Sequence, residues 1–389
     1  MNQGVVSEAD GSLPRGVELG RVLAGKYRLD DVLGVGGMGV VVGATHLSLE
    51  LPIAIKFMSP LLVGNGMGIR RFMLEARSAA RIRSEHVVRV FDVASLPDGA
   101  PYIVMERLDG VDLGQLLEQR GWLPLEEAID YVLQAAEAVA EAHAAGIVHR
   151  DLKPSNLFCC WRVDGTPLIK VLDFGVSKLL PSASGTLRSE SATGPHVIVG
   201  SPLYSAPEQL RAPSSVDARA DVWALGVILY ELVAGKPPFR GDDFLGICSK
   251  VAHATVEPLR MLRPEVPAEF SEVMARCLAK QRDQRFQTVA ELAGALAPYA
   301  PRHALVSVKR IQVALGARPR PATPFPLADT APSESEPDLP TIADGTHRRR
   351  VRGVRRGRLW AFAALGGALI FAAAVLASSL RTRRAPSSE

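Results

Sequence analysis

From Tyr27 the chain alternates with the short period of strands. YRLDDVLG (27–34), GVVVGATHLSL (39–49) and PIAIKFM (52–58) are β-branched runs divided by glycine or by Pro52, the pattern of strands separated by tight turns. GIRRFMLEARSAARI (68–82) changes the period, with Ile69, Phe72, Met73, Ala76, Ala79 and Ile82 recurring at helical spacing. Two further strands are expected, VVRVFDVAS (87–95) and PYIVMER (101–107), joined through Leu96-Pro97-Asp98-Gly99-Ala100. Past Gly110 the pattern turns helical. LEEAIDYVLQAAEAVAEAHAAG (125–146) keeps Ile129, Val132, Leu133, Ala136, Val139 and Ala140 on one face, and Gly146 is a stop signal. Later helices are expected over DARADVWALGVILYELVAG (217–235) and around Phe270 to Ala279. The prediction is an α+β chain: a β-rich N-terminal lobe with one main helix, then a helical C-terminal lobe.

The flanks carry weaker patterns. Residues 1–26 are Gly-rich and unpatterned, and read as a flexible tail. The folded domain is expected to span 27–299, with order ending between Tyr299 and Val306. Residues 300–358 then form a disordered linker with a basic end. Its stretch 317–346 is rich in Pro, Ala, Ser and acid and holds too little apolar surface to offset its ordering entropy. There are no internal repeats, which excludes an array of sensor modules.

Charge and hydropathy alter the picture near the C-terminus. The formal net charge is +4, yet seven arginines fall between Arg348 and Arg358, and no acidic residue occurs from Gly345 through Ser388. Such runs go with nucleic acid or membrane surfaces. The next segment decides between them: Leu359–Leu380 is 22 residues without a charge, roughly 33 Å of helix against a hydrocarbon core of about 30 Å. It is expected to be one transmembrane helix, with Trp360 at the interface and a short tail, 381–389, beyond it. Seven arginines precede the span and three follow it, so the positive-inside bias puts the folded domain in the cytoplasm and the C-terminus outside. Contact of the arginines with anionic headgroups is then more economical than nucleic-acid binding. The N-terminus lacks the pattern of a secretory signal. Cys159, Cys160, Cys248 and Cys277 have no metal-ligand spacing and are expected as buried structural thiols in a reducing compartment.

Candidate chemistry concentrates in VHRDLKPSNLFCCWRVDGTPLIKVLDFG (148–175). Transfer of a phosphoryl group from ATP needs a carboxylate near the acceptor hydroxyl, a cation on the migrating group and oxygen ligands for magnesium. Asp151, Lys153, Asn156 and Asp173 are that set, in order. Upstream, Gly34-Val35-Gly36-Gly37-Met38-Gly39-Val40-Val41 fits G-x-G-x-x-G-x-V, and Ile53-Ala54-Ile55-Lys56 fits the V-A-I-K strand. A glycine loop alone is weak, and a Lys–Glu pair alone is commonplace. Their joint order with the 148–175 stretch is specific.

These motifs resemble the eukaryotic-type (Hanks-type) Ser/Thr protein kinases over Tyr27 to Tyr299, and GGMG, GIVHRDLKPSN and GSPLYSAPEQ resemble bacterial members. The resemblance implies the bilobal protein-kinase fold and a Ser/Thr protein kinase. Its substrates would be hydroxyls of cytoplasmic proteins, and its cofactors ATP with Mg2+, or Mn2+ in its place. It implies Asp151 as catalytic base, Lys153 on the transferred phosphate, Lys56 on the α- and β-phosphates held by Glu75, and Asn156 and Asp173 as metal ligands. Nucleotide would meet Leu33, Gly34, Val35, Gly36, Gly37, Met38 and Gly39, with Val41, Ala54 and Leu157 sandwiching the adenine. Met105 would be the gatekeeper and Glu106 to Leu108 the hinge.

Arg150 before the base implies an activation loop, Asp173 to Glu208, ordered when a phosphate pairs with that arginine. Autophosphorylation is expected at Thr193, with Ser191 as the alternative. Glu208 is expected to pair with Arg285, and Asp221 to brace the catalytic loop. Ser201 departs from the threonine usual at its position, but keeps the hydroxyl. The rival reading is a pseudokinase scaffold, which loss of Lys56, Asp151, Asn156 or Asp173 would favour; all four are present. Ala364, Ala368 and Ala372 form a small-residue ridge suited to a homodimer acting in trans, and Thr323, Thr330 and Thr341 are candidate sites for phosphothreonine-binding modules. For both, chance or a plain spacer is the blander alternative. The localisation implied is a bacterial inner membrane, crossed once.

Overall fold

The computed structural model describes residues 13–14, 17–36, 39–59, 62, 66–174, 202–212 and 215–316. The expectations for Gly37, Met38, Gly175, Ser191, Thr193, Ser201, the linker beyond 316 and the span Leu359–Leu380 fall outside those residues. Among the described residues no helix is long and apolar enough to cross a membrane.

The N-terminal lobe is a six-stranded antiparallel sheet of β1 (Val22–Leu23), β2 (Tyr27–Gly36), β3 (Gly39–His46), β4 (Leu51–Met58), β5 (Val90–Ser95) and β6 (Pro101–Glu106), in the order β1-β2-β3-β4-β6-β5. Strand period two sorts its side chains. Ile53, Ile55 and Phe57 of β4 join Tyr102 and Val104 of β6 in one core. On the opposite face Met58 and Ile103 meet Phe72 and Ala76 of helix α1 (Gly66–Arg81). Lys56, between Ile55 and Phe57, therefore points to the face that α1 covers.

The ordered fold begins before Tyr27, contrary to the expected tail. Leu13 and Val17 are buried against the first core, with Leu19 and Leu23 packed beside them. Gly20 N–H donates to the Leu29 carbonyl at 2.7 Å. These four apolar residues cover sheet surface that would otherwise face water.

The C-terminal lobe holds α2 (Leu113–Arg120), α3 (Leu125–Ala144), α4 (Arg219–Ala234), α5 (Phe244–His253), α6 (Phe270–Cys277), α7 (Val289–Leu296) and α8 (Leu305–Gly316). Beside it lies a small antiparallel sheet of β7 (Gly110–Asp112), β8 (Leu157–Trp161) and β9 (Pro167–Val171). Asp112 caps α2 by accepting from the Gly114 and Gln115 N–H groups, satisfying donors a helix start leaves open. Helix α3 is buried on nearly every side because α4, α7, α8 and β9 all pack on it. Gly235 closes α4 at φ +76°, a left-handed turn suited to glycine.

Helix α8 corrects the expected end of order. It runs beyond Tyr299, with Val308 and Ile311 buried in the main core. Val308, Ile311 and Leu315, three and four residues apart, make a narrow apolar stripe that suffices because α3 offers a ready apolar flank. Cys159, Cys160 and Cys277 are buried thiols, whereas Cys248 is half-buried.

Candidate active site

The site forms where β4, α1, the loop 149–156 and the segment 172–174 converge. Lys56 Nζ donates to Glu75 Oε1 at 2.9 Å and to Asp173 Oδ1 at 2.6 Å. The Lys56 and Glu75 side chains are 7% and 6% exposed, Asp173 46%. Burial works against the Lys56 charge, but the Asp173 and Glu75 carboxylates outweigh it and hold its pKa above the ordinary lysine value. Crowding would raise the Asp173 pKa, yet the Lys56 ammonium holds it below the carboxylate range. Glu75 moves the other way: its burial, helped by the Asp173 charge, exceeds the pull of the shared lysine and raises its pKa. One cation serves two carboxylates.

Asp221, on α4 and fully buried, fixes the catalytic loop. Its Oδ2 accepts from the His149 N–H at 2.8 Å and from His143 Nε2 at 2.7 Å, and its Oδ1 accepts from the Arg150 N–H at 2.8 Å. Burial would raise its pKa; the His143 hydrogen bond and the nearby histidines outweigh this and hold it low. The clamp matters because Arg150 sits at φ +66°, and Asp173 at +47°, a region that costs a residue with a side chain about 1–3 kcal/mol. His149 is buried, and burial lowers its pKa, favouring the neutral ring. One tautomer satisfies it: Nδ1 accepts from the Asp151 N–H at 3.3 Å and Nε2–H donates to the Leu172 carbonyl at 3.2 Å. The His149 ring also lies 4.7 Å from that of Phe174, which is itself fully buried. The two halves of the site are locked together through this histidine.

Asp151, half-buried, has Lys153 Nζ 3.4 Å from its carboxylate. Asn156 Nδ2 donates to the Asp151 carbonyl at 2.8 Å, so its amide oxygen is the atom left to bind a cation. That oxygen and the Asp173 carboxylate are two hard donors, the kind Mg2+ takes when water and phosphate supply its remaining positions. The donor set fits a divalent metal.

The glycine strand pair lies at the sheet's edge of this site. Gly34 pairs with Val41, and Val41 with Lys56. Any side chain at Gly39 would run into the Phe57 carbonyl, whereas Gly34 has open space around its Cβ position and Gly36 nearly so. Packing requires glycine at 39 only. At 34 and 36 the bare backbone leaves room for a ligand. Leu33 and Val35 are exposed, Ala54 and Leu157 buried, and Val41 and Leu108 half-buried. Met105 pairs with Ala54 across β4–β6. Glu106 is held by Lys170 Nζ at 2.7 Å and by the Arg89 N–H at 2.7 Å.

Glu208 meets Arg285 in a two-pronged pair of 2.7 and 2.8 Å. Sequence reasoning missed several partners of the site. Gln209 Nε2 donates to the Arg150 carbonyl at 2.9 Å while its Oε1 accepts from the Ala206 N–H, tying the segment after 201 to the catalytic loop. His143 and Lys170 also went unread. Each is one polar residue whose partner lies 59 to 78 positions away, so no local pattern marks it.

Residues 27–294 match the protein kinase domain family, and the chain belongs to that family. Serine/threonine-protein kinase pkn3 of Myxococcus xanthus is 37% identical over 264 residues, covering 67% of this chain and 47% of that protein. Serine/threonine-protein kinase PknB of Mycobacterium tuberculosis is 34% identical over 69% of this chain and 42% of its own. Serine/threonine-protein kinase Pkn1 of Myxococcus xanthus is 34% identical over 94% of this chain and 48% of its own. The chain thus spans less than half the length of each of these relatives. Among solved structures, the PknI kinase domain of Mycobacterium tuberculosis aligns at a TM-score of 0.55, with 29% identity over 73% of this chain and 99% of that one. The chain carries a bacterial Hanks-type Ser/Thr protein kinase domain, and that family implies ATP and a divalent metal ion.

Proposed function

We propose that the chain is a membrane-anchored Ser/Thr protein kinase that transfers the γ-phosphate of ATP to protein hydroxyls in the bacterial cytoplasm. The observation that carries this reading is the junction of Lys56, Glu75 and Asp173 beside Asp151 and Asn156, groups drawn from four separate stretches of chain. Lys56 holds the α- and β-phosphates, and Glu75 keeps its ammonium aimed at them. Asp151 accepts the proton of the substrate hydroxyl or orients it, while Lys153 offsets charge on the group in transit. Asn156 and Asp173 hold Mg2+, which when bound neutralises charge developing on the phosphates. Val41, Ala54 and Leu157 form the apolar slot for the purine.

Autophosphorylation at Thr193 or Ser191 supplies the switch, its phosphate pairing with Arg150. The anchor is Leu359–Leu380, with pairing of spans along Ala364, Ala368 and Ala372 bringing two kinase domains within reach of each other. Substrates are cytoplasmic proteins, and phosphothreonine-binding modules dock at modified linker threonines.

The test is full-length protein in neutral detergent, wild type and Asp151→Asn, incubated with Mg2+ and ATP and mapped by phosphopeptide mass spectrometry. Phosphate on Ser191 or Thr193 in the wild type alone is the expected result. No phosphate in either protein, with ATP still bound, would overturn the catalytic reading in favour of a scaffold. Full basal activity in a Thr193→Ala, Ser191→Ala double variant would overturn the switch alone.

A further inference from the structure

The peptide plane that joins Arg150 to Asp151 sets where the Asp151 side chain starts and therefore where its carboxylate points. Arg150 stands at φ +66°, a conformation that persists only when its surroundings hold it. The plane before its Cα is held through the Arg150 N–H, which donates to Asp221 Oδ1 at 2.8 Å. The plane after it is the one that carries Asp151. There the Asp151 N–H donates to His149 Nδ1 at 3.3 Å, and the Arg150 carbonyl accepts from Gln209 Nε2 at 2.9 Å. The closer of those two bonds comes from outside the catalytic loop, 59 positions along the chain.

Gln209 is itself engaged at both ends of its amide. Its Oε1 accepts from the Ala206 N–H at 3.0 Å while Nε2 reaches the Arg150 carbonyl. A backbone N–H can only donate and a backbone carbonyl can only accept, so the two partners admit one orientation of the amide. Glutamate in its place would keep the acceptor and, ionised, lose the donor. Methionine would keep the length and lose both.

The turn that carries Gln209, Pro207–Arg211, is anchored to the C-terminal lobe by bonds other than its own. Glu208 holds the buried Arg285 through both carboxylate oxygens. Tyr204 Oη, three residues before the turn, donates to Glu231 Oε2 of α4 at 2.7 Å. Leu210 packs against the main core. A side chain that positions a catalytic group needs such a seat, fixed by packing and by hydrogen bonds that it does not itself supply.

We propose that Gln209 is a positioning residue for Asp151, an assignment that rests on the kinase reading above. It acts through the 150–151 peptide plane and not on the reacting atoms. By fixing the Arg150 carbonyl it sets the direction of the Asp151 carboxylate toward the acceptor hydroxyl. Asp221 and Gln209 thus flank the Arg150 Cα with holds from two separate elements, α4 and the turn at 207–211. A displacement of residues 202–211 is carried through the amide to the base, and an error near 1 Å in its position costs about a hundredfold in rate.

The test compares full-length wild type, Gln209→Glu and Gln209→Met in neutral detergent. Steady-state phosphorylation of a peptide is read at varied ATP, with rates expressed per site that binds Mg2+–ADP in a calorimetric titration. Both variants should lose about 10- to 100-fold in kcat, with KM for ATP within about twofold of wild type. Gln209→Glu should fare no better than Gln209→Met. A residue that only capped its own turn would give the opposite order, because the Gln209→Glu carboxylate still accepts from the Ala206 N–H and would leave kcat at the wild-type level. Hydrogen exchange mapped by mass spectrometry reads the same hold without catalysis. Amides of residues 149–152 should exchange about tenfold faster in Gln209→Glu, while those of α3 keep their wild-type protection. Wild-type kcat in Gln209→Glu, a loss confined to KM or to the fraction of sites that bind nucleotide, or unchanged exchange at 149–152 overturns the assignment. A wild type that transfers no phosphate sinks the kinase reading instead, and the exchange comparison still decides whether Gln209 holds the loop.

Discussion

Asp221→Ala is the most demanding perturbation of this site, because it changes no group assigned to touch nucleotide or substrate. The substitution removes the acceptor of two backbone N–H groups and of His143 at once. Hydrogen bonds to a charged group contribute about 1.5–3 kcal/mol each, and a buried donor left alone costs about 1–3 kcal/mol. Water entering the small space recovers part of this, so a net loss of about 3–5 kcal/mol follows, as for other broken buried networks. An unfolding entropy of about 2.1 cal/mol/K per residue over roughly 300 residues converts that loss to a Tm lower by about 5–8 °C. The loop suffers separately. Arg150 at φ +66° loses the bond that holds it there and relaxes, which swings Asp151. A displacement near 1 Å costs about a hundredfold in rate. The assay is thermal unfolding beside steady-state phosphorylation of a peptide at varied ATP. The outcome expected is a fall in kcat with little change in KM for ATP, since Lys56 and Glu75 are untouched. Asp221→Asn, which keeps one acceptor oxygen, should fall between. A Tm within about 1 °C of wild type together with kcat within about twofold would refute the reasoning.

Lys56→Met leaves Glu75 and Asp173 facing each other without their shared cation, so KM for ATP should rise and phosphate transfer should collapse; an unchanged ATP titration counts against the assigned role. Glu208→Gln leaves the buried Arg285 guanidinium with carbonyl acceptors only, and should cost about 3 kcal/mol in urea unfolding, the low end for breaking a buried pair. Chelation of divalent metal should abolish phosphate transfer, with Mg2+ or Mn2+ restoring it and Asp173→Asn demanding more metal for the same rate. Burial, helped by Arg285, lowers the Lys280 pKa to about 8, against about 10.4 in an unfolded chain. Between those values the unfolded chain binds the extra proton, so Lys280 makes stability rise with pH there. Lys280→Met should flatten that slope in unfolding curves taken across the window.

Much of the fold was legible in period alone. Strands β2, β3, β4 and β6 and helices α1, α3 and α4 follow runs of apolar residues at spacing two or near 3.6, because each must bury one face. What period misses are short elements whose burial is supplied by something already folded. Leu13 and Val17 are isolated apolar residues in a Gly-rich stretch, and only the finished sheet explains them. Helix α8 has a three-residue stripe that means little until α3 stands beside it, and the polar composition that follows drew the expected boundary too early. Helix α2 was readable in principle from Asp112 at its cap and Gly121 after its end, but its eight residues fall below the length at which period persuades.

The site divides in the same way. Lys56, Asp151, Asn156 and Asp173 stand in motifs whose order and spacing can be read along the chain without the fold. The supports, His143, Lys170 and Gln209, answer only to a partner brought near by folding, and one polar side chain has no period.

The shared lysine carries a consequence of its own. Because one ammonium bonds two carboxylates from different segments, it works as a coincidence detector. Strand β4 supplies the cation, α1 one anion and residue 173 the other, and the junction closes only when all three arrive together. A shift of α1 that withdraws Glu75, or a turn of the 173–174 segment that withdraws Asp173, opens it from either side. Nucleotide competence is thereby made conditional on agreement between two parts of the chain about 100 residues apart.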